Sequence, residues 1–382
     1  MSRFRAFAGA AVMVAAVIGV PATAHADDAD HGDRVRCSEQ ALKDAIKKAN
    51  DAGGGTLSLA RRCTYTITTP DNEGNALPVI TSKITIYGNG STIRRSSTTA
   101  FRIFQVGALD EIGFPRQGDL SLHDVTIRNG RSVSSSTDNP GNGGGISVFG
   151  SKLTLDGCKV VGNRTDGFGG GINHYSLFSK QEDSSLTIRN SVIRGNHAHD
   201  GGGVWHVDGI ATYSHSTISG NSADGQGGGL VVGGPSVVVN DTKITRNRAG
   251  VVAGGLLITV AENEGAFTSV DLNDTTVSDN TAAVSAGGIY QTGRSAARLN
   301  RSRVHGNTTT GTNGVAGGIF VEPFNLMTLR DSSVENNSSQ RAPGGIFNGG
   351  DDRVDTVILI SSRVVHNRPT NCSPTPLPGC VN

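Results

Sequence analysis

From residue 150 to residue 370 the apolar positions return on a schedule set by an asparagine. Segments such as VVGN, ISGN, VSDN and VVHN end at Asn163, Asn196, Asn221, Asn247, Asn280, Asn307, Asn337 and Asn367, at spacings of 33, 25, 26, 33, 27, 30 and 30 residues. Three residues before each stands Val or Ile, from Val160 to Val364. Eight and ten before stand apolar residues again, from Leu155 and Leu153 to Leu359 and Val357. A spacing of two within that pair is the period of a strand with one buried face. Five before, every residue is small: Cys158, Ser191, Ser216, Thr242, Thr275, Ser302, Ser332 and Ser362. Asn129, in TIRNG, extends the series one unit earlier in a looser match.

A second landmark falls between the asparagines. It reads GGG plus a branched aliphatic at Gly143, Gly169, Gly201 and Gly227, then AGG at Ala253, Ala286 and Ala316, and PGG at Pro343. Each unit therefore predicts two or three short strands separated by glycine-dependent bends, with no room for a helix. Units that cannot bury an apolar face alone must stack. About ten coils at the ~4.8 Å strand spacing give a solenoid roughly 50 Å long. The asparagines then form an internal ladder of amide hydrogen bonds, as identical amides do in other β-stacks.

The N-terminal region reads differently. Ser38 caps SEQALKDAIKKAN, where Leu42, Ala45, Ile46 and Ala49 make one helical face. Gly53 to Gly55 stop the helix, and TLSLA starts the first strand. A helix over the open end of a stack covers a strand edge that would otherwise aggregate. The organisation expected is an export signal at 1–26, a cap at 27–79, a parallel β-helix at 80–370 and a closed tail at 371–382.

Composition sharpens this picture. The chain has 53 glycines in 382 residues, a load that signals either disorder or a turn-rich repeat. The conserved register of the apolar columns decides for the repeat. Arg3 and Arg5, the apolar run Ala6 to Val20 and the AHA at Ala24 to Ala26 read as a cleavable export signal. We therefore expect a secreted protein, extracellular or bound to a cell wall, with no membrane span. Without Arg3 and Arg5 there are 32 basic residues against 33 acidic, which gives no electrostatic case for nucleic acid. Cys37 with Cys63 and Cys372 with Cys380 suit two local disulfides in an oxidising compartment, other pairings staying open. Cys158, in the small column, is expected as a buried free thiol.

The GG[GA][ILV] and [VI]xxN marks resemble the repeats of polymorphic outer-membrane proteins. They place the chain near the right-handed parallel β-helix proteins of the pectin-lyase-like superfamily. The resemblance implies an all-β fold: a single-stranded right-handed β-helix with a short capping helix. Function is left open, because such folds serve adhesins, polysaccharide lyases and glycoside hydrolases. No family active site carries over. The mature-chain Asp-Asp pairs, Asp27-Asp28 and Asp351-Asp352, sit in no matching motif.

Three sets of residues carry candidate chemistry. Two residues after the last landmark glycine lie Ser147, Asn173, Trp205, Val231, Leu257, Tyr290, Phe320 and Phe347. Alternation points this column outward, as a stripe for stacking on sugar rings or as a face under a loop. One residue further, His174 and His206 are neighbours on adjacent coils, expected as an internal stacked pair, with catalysis as the other reading. Three residues after the ladder, Asp166, His199 and Asp224 share a column. Such a row can act as acid and base or hold a divalent metal; it also reads as solvated charges on a turn. Long loops at 176–185 and 261–268 flank the coils of His206 and Val232, as walls around a groove. The functions expected are polysaccharide binding along the face of Trp205, polysaccharide cleavage using Asp166, His199, Asp224 or His206, or a structural surface role. The sequence leaves the oligomeric state open.

Overall fold

A computed structural model shows the chain as a parallel β-helix, and describes residues 32–109, 115–133, 141–176, 184–260, 267–350, 356–374 and 377–382. The proposed export signal, the Asp351-Asp352 pair and most of both long loops lie outside these residues. One coil shows the plan. Ser236–Asn240 and Lys243–Thr245 belong to one sheet, Arg248–Ala249 to a second and Leu256–Ile258 to a third. Among the described residues these sheets hold 21, 7 and 10 strands, and successive coils pair in parallel and in register. Such a coil thus has four strands rather than the two or three expected. The extra break falls just before the small column, where Asp241 has φ +43°. The equivalent residue is left-handed in every coil from Asp124 to Ser361, so the chain turns a corner within what looks like one strand.

The predicted columns point inward. Val237, Val239, Ile244, Leu256 and Ile258 of this coil are buried in one continuous core. Burial of such side chains is worth about 1.5–3 kcal/mol each, and it holds each coil on the next.

The asparagine ladder is continuous. Asn247 Nδ2 donates to Asn280 Oδ1 at 3.0 Å and to Ile218 O at 3.0 Å, while its own Oδ1 accepts from the Asn221 backbone N–H and Nδ2, both at 3.0 Å. The same pattern links the ladder from Asn163 to Asn367. The landmark explains why asparagine and glycine recur together. A Cβ on Gly229 would lie 2.8 Å from Asn247 Nδ2 and 2.6 Å from Gly255 O. The amide occupies the space that a side chain would need. The small column forms a second ladder, in which the Ser191 hydroxyl accepts the Cys158 N–H and Ser216 that of Ser191. Cys158 is buried, and burial pushes its thiol up to about 11.

Asn129 is not a rung. Val160 pairs with Ile127, which sets Gly130 opposite Asn163, and the Gly130 N–H donates to Asn163 Oδ1. Asn129 fills the left-handed position before the ladder, with φ +61°, as Gly162 and Gly195 do. Asparagine tolerates that conformation, so it can stand at the corner as well as on the rung. At the other end, Asn371 Oδ1 accepts from the backbone and side chain of Asn367, adding a rung four residues on.

The helix spans Glu39–Asp51, and the Ser38 side chain accepts the Ala41 N–H. Leu42, Ile46 and Ala49 are buried, and the helix packs on the strands Gly54–Leu59, Thr64–Ile67 and Lys83–Arg95. A strand precedes it: Asp33–Val35 pairs in parallel with Gly54–Leu59, so TLSLA lies in the second strand, not the first. Disulfides join Cys37 to Cys63 and Cys372 to Cys380. The second holds the strand Cys372–Pro374, which pairs with Ile346–Asn348. Replacing Cys372 and Cys380 by serine should cost about 2 kcal/mol in this last strand. Hydrogen exchange reads it as faster exchange near Ser373 with the central coils unchanged; equal loosening throughout would show a global role instead.

Candidate functional site

The outer column of the third sheet is in register as expected. Ser147, Asn173, Trp205 and Val231 pair in turn, then Leu257, Tyr290, Phe320 and Phe347. Alternation separates it from the core. Val231 and Leu257 form a cluster of their own with Ala253, on which Trp205 and Tyr290 pack. The rings, however, stack on one another. Tyr290 and Phe320 lie 4.8 Å apart and 6° from parallel, and Phe320 and Phe347 lie 4.2 Å apart and 3° from parallel. Phe168 covers Trp205 at 4.4 Å. The cause is the coil spacing of ~4.8 Å, which brings like rings of one column to stacking distance. Ring edges, rather than open ring faces, are thus directed away from the stack. Glu322 borders the stripe, accepting from the Tyr290 hydroxyl at 2.5 Å, and burial together with that carboxylate raises the phenol's pKa.

His174 and His206 stand inside. Both are 0 % exposed, their rings are 4.8 Å apart, and their Nδ1 atoms are 3.1 Å apart. His174 Nε2 lies 3.3 Å from both Ser151 O and Ser184 Oγ. Burial pushes His174 down to about 4 and His206 well below the usual histidine range, the second also through its neighbour. The expected internal pair forms, and it is neutral. A polymer outside the stack cannot reach either ring, so His206 has no place in acid–base chemistry on such a substrate and His174 none in holding it.

The row of Asp166, His199 and Asp224 does not assemble. His199 Nδ1 donates to its neighbour Asp200 at 3.0 Å, and Asp224 meets His197 Nε2 at 3.4 Å. His197 begins the strand His197–Ala198, and its Nδ1 lies 2.9 Å from Ser222 Oγ. Asp166 is exposed and makes no ion pair among the described residues. Beyond Ala198 the chain leaves the strand, so common register no longer brings side chains together. Among the described residues no three His, Cys, Asp or Glu side chains converge as metal ligands.

Asp200 is the residue that sequence reasoning missed. It is 8 % exposed, its Oδ1 accepts the Gln226 N–H at 2.6 Å, and its Oδ2 orients His199. Its backbone bridges to Phe168, whose ring covers Trp205. A carboxylate on Nδ1 leaves Nε2 of the exposed His199 as the atom free to take or give a proton. The adjacency of His199 and Asp200 at a bend was the available signal.

A family model described as the right handed beta helix region matches residues 178–359. The A-module of mannuronan C-5 epimerase AlgE6 of Azotobacter vinelandii is similar at 15 % identity and TM-score 0.38, over 88 % of this chain and 96 % of that one. The AlgE4 A-module of the same organism is similar at 12 % identity and TM-score 0.42, over 88 % and 96 %. PfbA, a surface adhesin of Streptococcus pneumoniae, is similar at 11 % identity and TM-score 0.42, over 85 % and 86 %. None of the curated proteins compared with the chain matches it. Among the described residues no helix is long and apolar enough to cross a membrane.

Proposed function

We propose that the chain is an exported β-helix that binds an extended polysaccharide along the outer face of its third sheet, around Trp205. The observation that carries this is the outer column of the third sheet, in which the partly exposed Tyr290, Phe320 and Phe347 stack on three successive coils and the partly exposed Trp205 packs on the buried Val231 and Leu257. A repeating apolar strip suits a repeating ligand, and ring edges with the Glu322 carboxylate supply a mixed apolar and polar border. The two disulfides agree with export. His199, oriented by Asp200, whose backbone bridges to Phe168, favours a second reading, cleavage of the bound chain with His199 as the proton-transfer group.

A panel of polysaccharides assayed for both retention and depolymerisation tests the two together. Trp205 is the only tryptophan, so intrinsic emission reports its surroundings. A retained glycan should shift that emission, and Trp205→Ala should weaken retention about tenfold, the effect of one aromatic contact. Retention without any emission change would remove the stripe from the site. Depolymerisation abolished by His199→Ala and strongly reduced by Asp200→Asn would establish the second reading; cleavage untouched by both would exclude it.

A further inference from the structure

The first and second sheets meet near the N-terminal end of the stack at a cleft unrelated to the aromatic stripe. Arg95 ends the strand Lys83–Arg95 and is fixed there. Its Nε donates to Asn129 O at 2.9 Å, its Nη1 to Thr99 O at 2.8 Å, and its guanidinium lies over the Phe101 ring, 5.7 Å from the centroid. Arg131 and Arg164 pair directly on adjacent coils of the second sheet, and both side chains are exposed. With Ser96, Ser97 and Asn129, the three arginines line an open cleft of ≈ 640 Å³. Among the described residues no carboxylate lines it. Among the described residues none of the three arginines forms an ion pair. Asp166, two residues after Arg164, is exposed and does not neutralise it. Burial and the Arg131 charge both lower the Arg95 pKa, so the cations repel. The next residue in the column, His197, is engaged by Ser222 and Asp224, and that carboxylate ends the positive region.

We propose that this cleft binds a phosphoryl group. A single carboxylate offers one negative charge and two oxygens, which one guanidinium fork satisfies. The exposed Arg131 and Arg164, without an ion pair among the described residues, together with the fixed Arg95 match a group of about two negative charges and three acceptor oxygens, as a phosphate ester carries near neutral pH. Arginine, planar and always charged, is the side chain suited to it. The cleft falls within the roughly 300–1,000 Å³ of small-molecule sites, which leaves room for a sugar-sized alcohol beside the phosphate. The proposal is independent of the glycan reading, because the third sheet contributes nothing to this cleft.

Calorimetric titration of the purified protein with inorganic phosphate, sulfate and acetate at constant ionic strength tests it. Phosphate and sulfate, which both carry about two negative charges near neutral pH, should bind saturably and about tenfold more tightly than acetate. Arg131→Gln and Arg164→Gln should each weaken phosphate roughly tenfold, the scale of one charge-assisted hydrogen-bonded contact. Both side chains are exposed, so the variants should fold. Arg248→Gln, further along the same column beyond Ser222, should change nothing. Acetate equal to phosphate, unaltered binding by either variant, or equal weakening by Arg248→Gln would overturn the site. Sulfate no tighter than acetate would overturn the charge match. A phosphorylated polysaccharide, applied before and after phosphatase treatment, separates the sources. Retention lost on dephosphorylation and in the Arg131→Gln/Arg164→Gln protein assigns the phosphate to a polymer; phosphate titration without such retention assigns it to a free ester.

Discussion

Replacing Asn247 with alanine is expected to destabilise the central coils by about 4 kcal/mol, near the top of the range for a single substitution. The side chain makes four buried hydrogen bonds at 3.0 Å, two given and two received. Alanine deletes all four. It strands the Asn221 N–H and the Ile218 carbonyl in a site where Asn221 and Asn247 are each 1 % exposed, so water cannot replace the amide. Asparagine to aspartate is no remedy, since the carboxylate has no proton for Ile218 O or Asn280 Oδ1. Asn371→Ala provides the contrast. It also removes a rung, but one partly open to solvent at the end of the ladder, and should cost only about 1 kcal/mol. Urea unfolding followed by hydrogen exchange measures both, the second because stacked repeats need not unfold in one step. Comparable losses in the two variants would mean that the ladder decorates the stack rather than holding it.

Acid should weaken the fold well before its carboxylates titrate. His174 lies at about 4 in the folded chain, against roughly 6.5 for an unfolded histidine. The unfolded chain therefore binds the proton more readily between those values. Stability is full above the unfolded value, falls as pH drops below about 6.5, and has lost the whole contribution near pH 4. For His174 alone the linkage amounts to about 3 kcal/mol, and His206, shifted the same way, adds to it. Glu39, lowered to about 2 by its bonds to Lys43, Thr68 and Thr69, against the desolvation that would raise it, gives up its contribution only in more acid solution. Its titration therefore falls largely outside the histidine window. The neighbours of the pair in the same inward column are Val148 and Val232. The His174→Val/His206→Val protein should therefore fold and show a much shallower fall in melting temperature from pH 7 to pH 4.5, what remains including His305, whose pKa burial and Arg303 also lower. A slope as steep as the parent's would place the acid sensitivity elsewhere.

Apart from the capped helix and the two disulfides, the parts of this molecule that could be read from the chain are those that repeat. The apolar columns, the rungs from Asn163 to Asn367 and the pairing of Trp205 with Asn173 and Val231 all follow from counting, because a parallel stack puts equal counts side by side. Asn129 misled for the same reason. Asparagine serves both as a rung and as a left-handed corner, and spacing alone does not separate the two roles. Asn371 escaped because a rung four residues after the last has no period. The site was less legible than the fold. His199 and Asp224 share a column, yet their partners are Asp200 and His197, since register lapses once the chain leaves the strand. The arginine cleft was invisible to column counting. Arg95 approaches Arg131 and Arg164 from a different sheet, through its bond to the Asn129 carbonyl.

The uniform rung has a consequence for how such a molecule can change size. Asn196 and Asn247 see the same surroundings as Asn221: an amide ahead, an amide behind and a glycine alongside. Excising Asn221 to Arg246 would bring Asn247 onto Asn196 with every ladder bond remade, whereas removing a residue from within one of the coil's strands would shift that strand's inward and outward positions. Length is therefore quantised, in steps of one coil or about 4.8 Å. Any ligand that reads distance along this surface meets a ruler whose graduations evolution can add or delete but not stretch.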